Sequence, residues 1–129
     1  MEYSKHYTRE EARALLPQIK QWLKAISDLR RQLKEYDRQL GVLAKQQCDS
    51  GGELVNSWVR VMAEMKAVFL EFDRREIQIK DLERGLVDFP ALIAEKEVFL
   101  CWEKGEADIG FWHEIQAGYA GRQPLDEDL

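Results

Sequence analysis

The sequence predicts an α+β protein: a long antiparallel two-helix hairpin, coiled-coil-like in its spacing, followed by a small C-terminal antiparallel β-meander. Three observations predict it. Apolar residues before position 77 recur at alternating steps of 4 and 3, the period of a helix seam. Gly51-Gly52 interrupts that seam, and glycines can take the positive φ that a helix stop and chain reversal require. From Ile77 onward the pattern changes to short runs rich in β-branched and aromatic residues, punctuated by glycine and proline, as strands are. The 129 residues read as one domain, with helix one over 8–47, helix two over 53–76, a β block over 77–125 and a tail over 126–129.

Helix one opens at Thr8-Arg9-Glu10-Glu11, a capping box in which the Thr8 hydroxyl accepts an early amide and Glu11 reaches back to the Thr8 amide. Its seam runs through Leu15, Ile19, Trp22, Ile26, Leu29, Leu33, Tyr36, Leu40 and Leu43. Ile19, Ile26, Leu33 and Leu40 hold the a positions of the heptad and the others the d positions. Pro17 sits inside the pattern without an amide to donate, so a kink or a separate first turn is expected. Cys48-Asp49-Ser50-Gly51-Gly52 is the reversal.

Helix two carries Val55, Trp58, Met62, Met65, Phe69, Phe72, Glu76 and Ile79 on its seam. Glu76 falls at an a position, which marks the helix as ending or leaving the seam near Arg74. Both seams are wider than a simple pair needs. Leu54, Val61 and Val68 fill g and Val59 fills e on the second helix, while Leu16 and Leu23 fill e on the first. A stripe this wide faces more than one neighbour. Two coverings remain open: a second copy of the hairpin, giving a homodimeric four-helix arrangement, or the C-terminal block folded back.

Lys24, Arg31, Arg38 and Lys45 occupy the f positions of helix one and place a cation about every 10.5 Å. A solvated face explains them, and an acidic protein partner is the alternative. Nucleic acid is disfavoured, because no aromatics interleave to stack bases and the net charge is −5. Residues 1–47 carry ten Lys and Arg against six Asp and Glu, while residues 85–129 carry three against ten. The two ends are therefore complementary, within one chain or between copies.

The β block is expected to form a three-stranded meander. Its strand segments are Gly85–Phe89, Glu97–Trp102 and Asp108–His113, with Ile77–Lys80 either a further strand or the last helical turn. Arg84-Gly85, Pro90-Ala91 and Lys104-Gly105 are the expected breaks. The block also gathers metal-ligating types: Asp88, Cys101, Glu103, Glu106, Asp108 and His113. Strand alternation puts Cys101 and Glu103 on one side and Trp102 on the other. One Cys, one His and one carboxylate can hold zinc, and Asp88, Cys101 and His113 are the set taken. The spacing matches no ligand motif, however, and a Cys between Leu100 and Trp102 also reads as core. A Cys101–His113 nucleophile and base would need direct hydrogen-bonding reach. Trp102, Trp112 and Arg122 are candidate contacts for a partner, with core packing for the tryptophans and a pairing of Arg122 with the acidic block as alternatives.

Four strings carry a family resemblance: YTREEARALLP from Tyr7, KDLERGLVDFPA from Lys80, EVFLCWEKGE from Glu97, and FWHEIQAGYAGRQPL from Phe111. In order and spacing the chain resembles the bacterial proteins gathered as domain of unknown function 2203. That resemblance implies no activity, substrate or cofactor. Arg75 departs from the pattern, since relatives often carry glycine near there.

No apolar run approaches the roughly 18 residues of a membrane span, so the expected location is the cytoplasm. Cys48 and Cys101 are expected to stay reduced there. The favoured reading is a non-enzymatic, homodimeric interaction or scaffold protein. The rival is a metal- or small-ligand-binding protein, with hydrolysis as one outcome, whose site lies in the C-terminal block. Convergence of Cys101 and His113 discriminates the two.

Overall fold

A computed structural model describes residues 1–46 and 52–126. Two helices, α1 (Arg9–Lys45) and α2 (Gly52–Arg74), precede five strands: β1 (Gln78–Asp81), β2 (Leu86–Ile93), β3 (Lys96–Glu103), β4 (Phe111–Glu114) and β5 (Gln123–Pro124). The strands form one antiparallel sheet in sequence order, an α+β fold of helical hairpin and meander. The chain divides into two compact units, Met1–Lys20 with Phe72–Leu129, and Gln21–Glu71. Most of the expected reversal, 47–51 with Cys48, and the tail residues 127–129 lie outside the described residues.

In the helical unit, Leu29, Leu33 and Val61 form the core, with Tyr36, Trp58, Met65 and Val68 packed against it. Trp58 closes the hairpin from the side, its Nε1 donating to Asp37 Oδ1 at 3.0 Å. The first helix uses its a and d positions here as expected. The second does not: its d and g residues face inward, while Val55 and Met62 at a are exposed. A seam of 3.5-residue period on a 3.6-residue helix drifts, and a short hairpin settles on whichever neighbouring stripe holds the better-fitting side chains. The apolar surface left over is thus the a and e side, not g.

The sheet unit holds the first turns of α1. Thr8 N donates to Glu11 Oε1 at 3.0 Å and Glu11 N to Thr8 Oγ1 at 3.1 Å, completing the capping box. Pro17 does not split the helix, which runs through it as one element. Its ring is exposed while Leu16 and Ile19 beside it are buried, so flanking burial outweighs the ~3 kcal/mol that an interior proline costs. Helix two ends at Arg74, two residues short of the expected 76. Glu76 takes φ 57°, with Glu76 N donating to Asp73 O and Ile77 N to Phe72 O. This is a Schellman stop, sealed by the buried pair Phe72 and Ile77. The left-handed residue is a glutamate where glycine is usual.

Two strand boundaries differ from expectation. β2 does not break at Pro90-Ala91 but continues to Ile93, pairing Pro90 with Phe99. Tyr7 N donates to Pro90 O at 2.7 Å, so the outer edge of Pro90 faces the N-terminal segment, where the missing N–H leaves no ladder bond unmade. The chain instead turns at Ala94-Glu95, both at positive φ, a two-residue hairpin turn of the primed kind. β4 starts at Phe111 rather than Asp108, because Asp108 is held in the preceding loop by Arg13 at 2.7 and 2.8 Å. The meander has five strands instead of three, gaining β1 and the short β5. Among the described residues no helix is long and apolar enough to cross a membrane.

Candidate metal centre

β2 and β3 pair Asp88 directly with Cys101. β3 and β4 pair Phe99 with His113, and Phe99 lies two residues from Cys101, so all three polar side chains project from one face of the sheet. One ligand atom from each of Asp88, Cys101 and His113 lies within 4.8 Å of the others. All three residues are at most 1 % exposed, in a sheet whose opposite face carries Val87, Phe89, Leu100 and Trp102.

Hydrogen bonding assigns the imidazole. His113 Nδ1 lies 2.7 Å from Glu114 O, a carbonyl that only accepts, so Nδ1 carries a proton. His113 Nε2 lies 2.9 Å from Asp88 Oδ2, and the lone pairs there need a proton or a metal between them. Asp88 Oδ1 is buried without a hydrogen-bond partner among the described residues. The Cys101 thiol beside the carboxylate is a weak donor.

Burial governs the charges. It raises the Asp88 carboxyl above its ordinary value, against the opposing pull of His113, the Cys101 thiol and Lys80. Burial, then the Asp88 charge, pushes Cys101 up to about 12, opposed by Arg122. A thiol so held is no nucleophile at neutral pH, and both imidazole nitrogens are engaged. The nucleophile-and-base arrangement therefore does not fit, whereas a cation would reverse the penalty on both anions at once.

The other acidic candidates are spent elsewhere. Glu106 receives Arg122 through both oxygens at 2.7 and 2.8 Å, Glu103 pairs with Arg84, and Asp108 takes Arg13. Arg122 also stacks on Phe111 and Tyr119 at 3.9 and 4.8 Å, so it pairs with the acidic block. Trp102 is wholly buried, its Nε1 donating to Glu106 O at 3.0 Å; it offers no surface to a partner, because the alternation that aims Cys101 at one face aims Trp102 into the other. Trp112 is half-buried. On α1, Lys24, Arg31, Arg38 and Lys45 are exposed, but Arg31 and Arg38 hold Asp28 and Glu35 on the preceding turn.

Sequence reasoning missed the N-terminal segment. Glu97 Oε1 and Oε2 accept the amides of Glu2 and Tyr3 at 3.0 and 3.1 Å, and Oε2 lies 2.7 Å from His6 Nε2. Glu76 accepts the amides of Ser4 and Lys5 and the Ser4 hydroxyl. Tyr3 meets Phe99 edge-on at 5.4 Å, and Phe99 meets His113 at 5.5 Å, so the strap borders the triad. Its polar sequence carried no periodic signal for this.

No curated protein and no solved structure matches the chain. Residues 5–125 match the model of a family described as an uncharacterized conserved protein, a span that takes in both helices and every residue of the triad. The chain belongs to that family, DUF2203.

Proposed function

We propose that the sheet unit binds one divalent transition-metal ion, zinc in the first instance, through Asp88, Cys101 and His113. The observation that carries this reading is their convergence to within 4.8 Å as a fully buried cluster on one face of the sheet. Two details support it. The Nδ1 contact with Glu114 O is the outer contact that fixes a metal-bound histidine with Nε2 free to ligate. Two ligand atoms of a tetrahedral zinc lie roughly 3.3 Å apart, so the 2.9 Å pair of Nε2 and Oδ2 needs only a small opening to admit one. Thiolate, imidazole and carboxylate together suit zinc or cobalt over magnesium or calcium.

Cobalt(II) titration of metal-free protein tests this. One equivalent should give thiolate-to-cobalt absorption and visible d–d bands, with the sulfur band lost in Cys101→Ser and binding weakened in His113→Gln. If the folded wild type takes up no cobalt or zinc, the triad is a structural polar cluster and the reading fails.

A second reading concerns the helical unit, which would act as a homodimeric scaffold. The exposed Val55, Val59, Met62 and Leu70 on α2 favour it, since exposed apolar side chains gathered on one side of a helix mark interaction surfaces. Sedimentation of the whole chain as a monomer at every concentration would remove it.

A further inference from the structure

Because Asp88, Cys101 and His113 are buried, whatever binds them must first pass what covers them. Strand alternation puts Glu97, Phe99 and Cys101 in one row of β3, with His113 beside Phe99 and Asp88 beside Cys101. Three groups lie over that row and its flanks. The Arg122 guanidinium sits 3.9 Å over Phe111, the residue paired with Cys101 on β4. The Lys80 ammonium sits 5.0 Å over the Phe99 ring. The Tyr3 ring meets the same Phe99 edge-on at 5.4 Å.

The three covers are not held equally. Arg122 donates to both oxygens of Glu106 and stacks on Tyr119 as well. Lys80 is carried by β1, which pairs along β2. Tyr3 belongs to a segment without a ladder. Its neighbouring amides bond to side chains: Glu97 accepts those of Glu2 and Tyr3, and Glu76 those of Ser4 and Lys5. The first main-chain bond to the sheet comes at Tyr7, whose amide donates to Pro90 O at 2.7 Å. Tyr7 is further fixed by its hydroxyl, which donates to Arg75 O at 2.8 Å, and by its ring against Phe89 at 5.6 Å. Residues 1–6 are therefore tethered at Tyr7 and latched by two carboxylates. Contacts of this kind open locally, at a far smaller cost than the strands beneath them.

We infer that residues 1–6 are the gate of the triad: they swing about Tyr7 when Glu97 lets go, and the metal ion enters and leaves past Tyr3. As to what passes, this rests on the metal reading above; it adds the route and the part that moves. Glu97 is the decisive latch. It accepts two strap amides, lies 2.7 Å from His6 Nε2, and stands on the strand that carries Cys101. A gate slows entry and exit alike, while affinity stays where the metal's own ligands set it.

Cobalt(II) uptake, cobalt removal by a chelator, and thiol labelling of metal-free Cys101 test this in the full chain carrying Cys48→Ser. Tyr3→Ala removes the cover and Glu97→Gln weakens the latch. Trp112→Ala, on the opposite face of the sheet, controls for general loosening. Both strap variants should accelerate all three rates by about tenfold or more, the scale of one lost hydrogen bond to a charged group, with the cobalt affinity unchanged. Rates unchanged in both strap variants, or raised as much by Trp112→Ala, overturn the gate. Weaker affinity at unchanged rates also overturns it, because the strap then only supports the ligands. If the wild type takes up no cobalt, the metal reading falls and Cys101 labelling alone decides the gate: acceleration in the strap variants upholds it, and its absence overturns it.

Discussion

Asp88 and His113 bury a carboxylate and an imidazole 2.9 Å apart, and the stability of the sheet hangs on how that pair is neutralised. Removing one partner of such a pair leaves an uncompensated polar group and costs about 3–5 kcal/mol. His113→Ala should therefore lower the denaturant midpoint markedly, by more than truncation of the half-buried Trp112 would. Cys101 gives a second prediction. With its thiol pushed up to about 12, roughly one molecule in 100,000 is thiolate at pH 7. In a Cys48→Ser background, metal-free native protein should resist a thiol reagent at neutral pH and react promptly in denaturant; fast native labelling would refute the buried environment. The residue types of this triad were legible in the sequence as ligands. Their convergence was not, because it depends on a register that pairs Asp88 with Cys101 and sets His113 diagonal to it.

That register is decided by elements whose signals were weak. Ala94-Glu95 lacks the Asn-Gly that normally announces a two-residue hairpin, and Pro90 was a stronger local break than either residue. The proline is tolerated because its outer edge meets Tyr7 N instead of a strand. Ala94 and Glu95 both bear left-handed strain, so Ala94→Asn with Glu95→Gly should raise stability by about 1–2 kcal/mol in thermal unfolding. The Schellman stop at Glu76 is the parallel case on α2. Glycine is the usual residue at such a stop; here a glutamate accepts the conformation and fastens Ser4 and Lys5. Glu76→Gly should relax the backbone yet expose both amides to fast hydrogen exchange. Retained protection there would show that the strap is held by its other contacts.

For the whole molecule, charge is arranged so that opposite ends of the sequence meet. Arg13 reaches Asp108, and the strap reaches Glu76 and Glu97. The Ser4 hydroxyl holds Glu76 below its ordinary value of 4.5, and the His6 ring does the same for Glu97. Carboxylates lowered in the folded state contribute stability fully above about pH 4.5 and lose it as pH falls through their folded values. The amide resonances of Tyr3, Ser4 and Lys5 should accordingly shift together only below that value, and resonances that stay in place down to about pH 2 would show that Glu76 and Glu97 do not hold the strap. The complementarity of a basic first segment and an acidic last one was visible in composition. The cations of the f stripe, however, spend part of their charge on their own helix.

The sequence by itself determined the class of the fold, both helices, the capping box and the presence of strands beyond the second helix. These are local or periodic features, and a few consecutive residues suffice to encode them. Only the tertiary structure decided which stripe of α2 turns inward, where β2 ends, what the N-terminal strap rests on, and that Asp88, Cys101 and His113 meet. Each of those is a competition between distant partners. Pairing register and burial settle it, and neither is written in any single stretch of the chain.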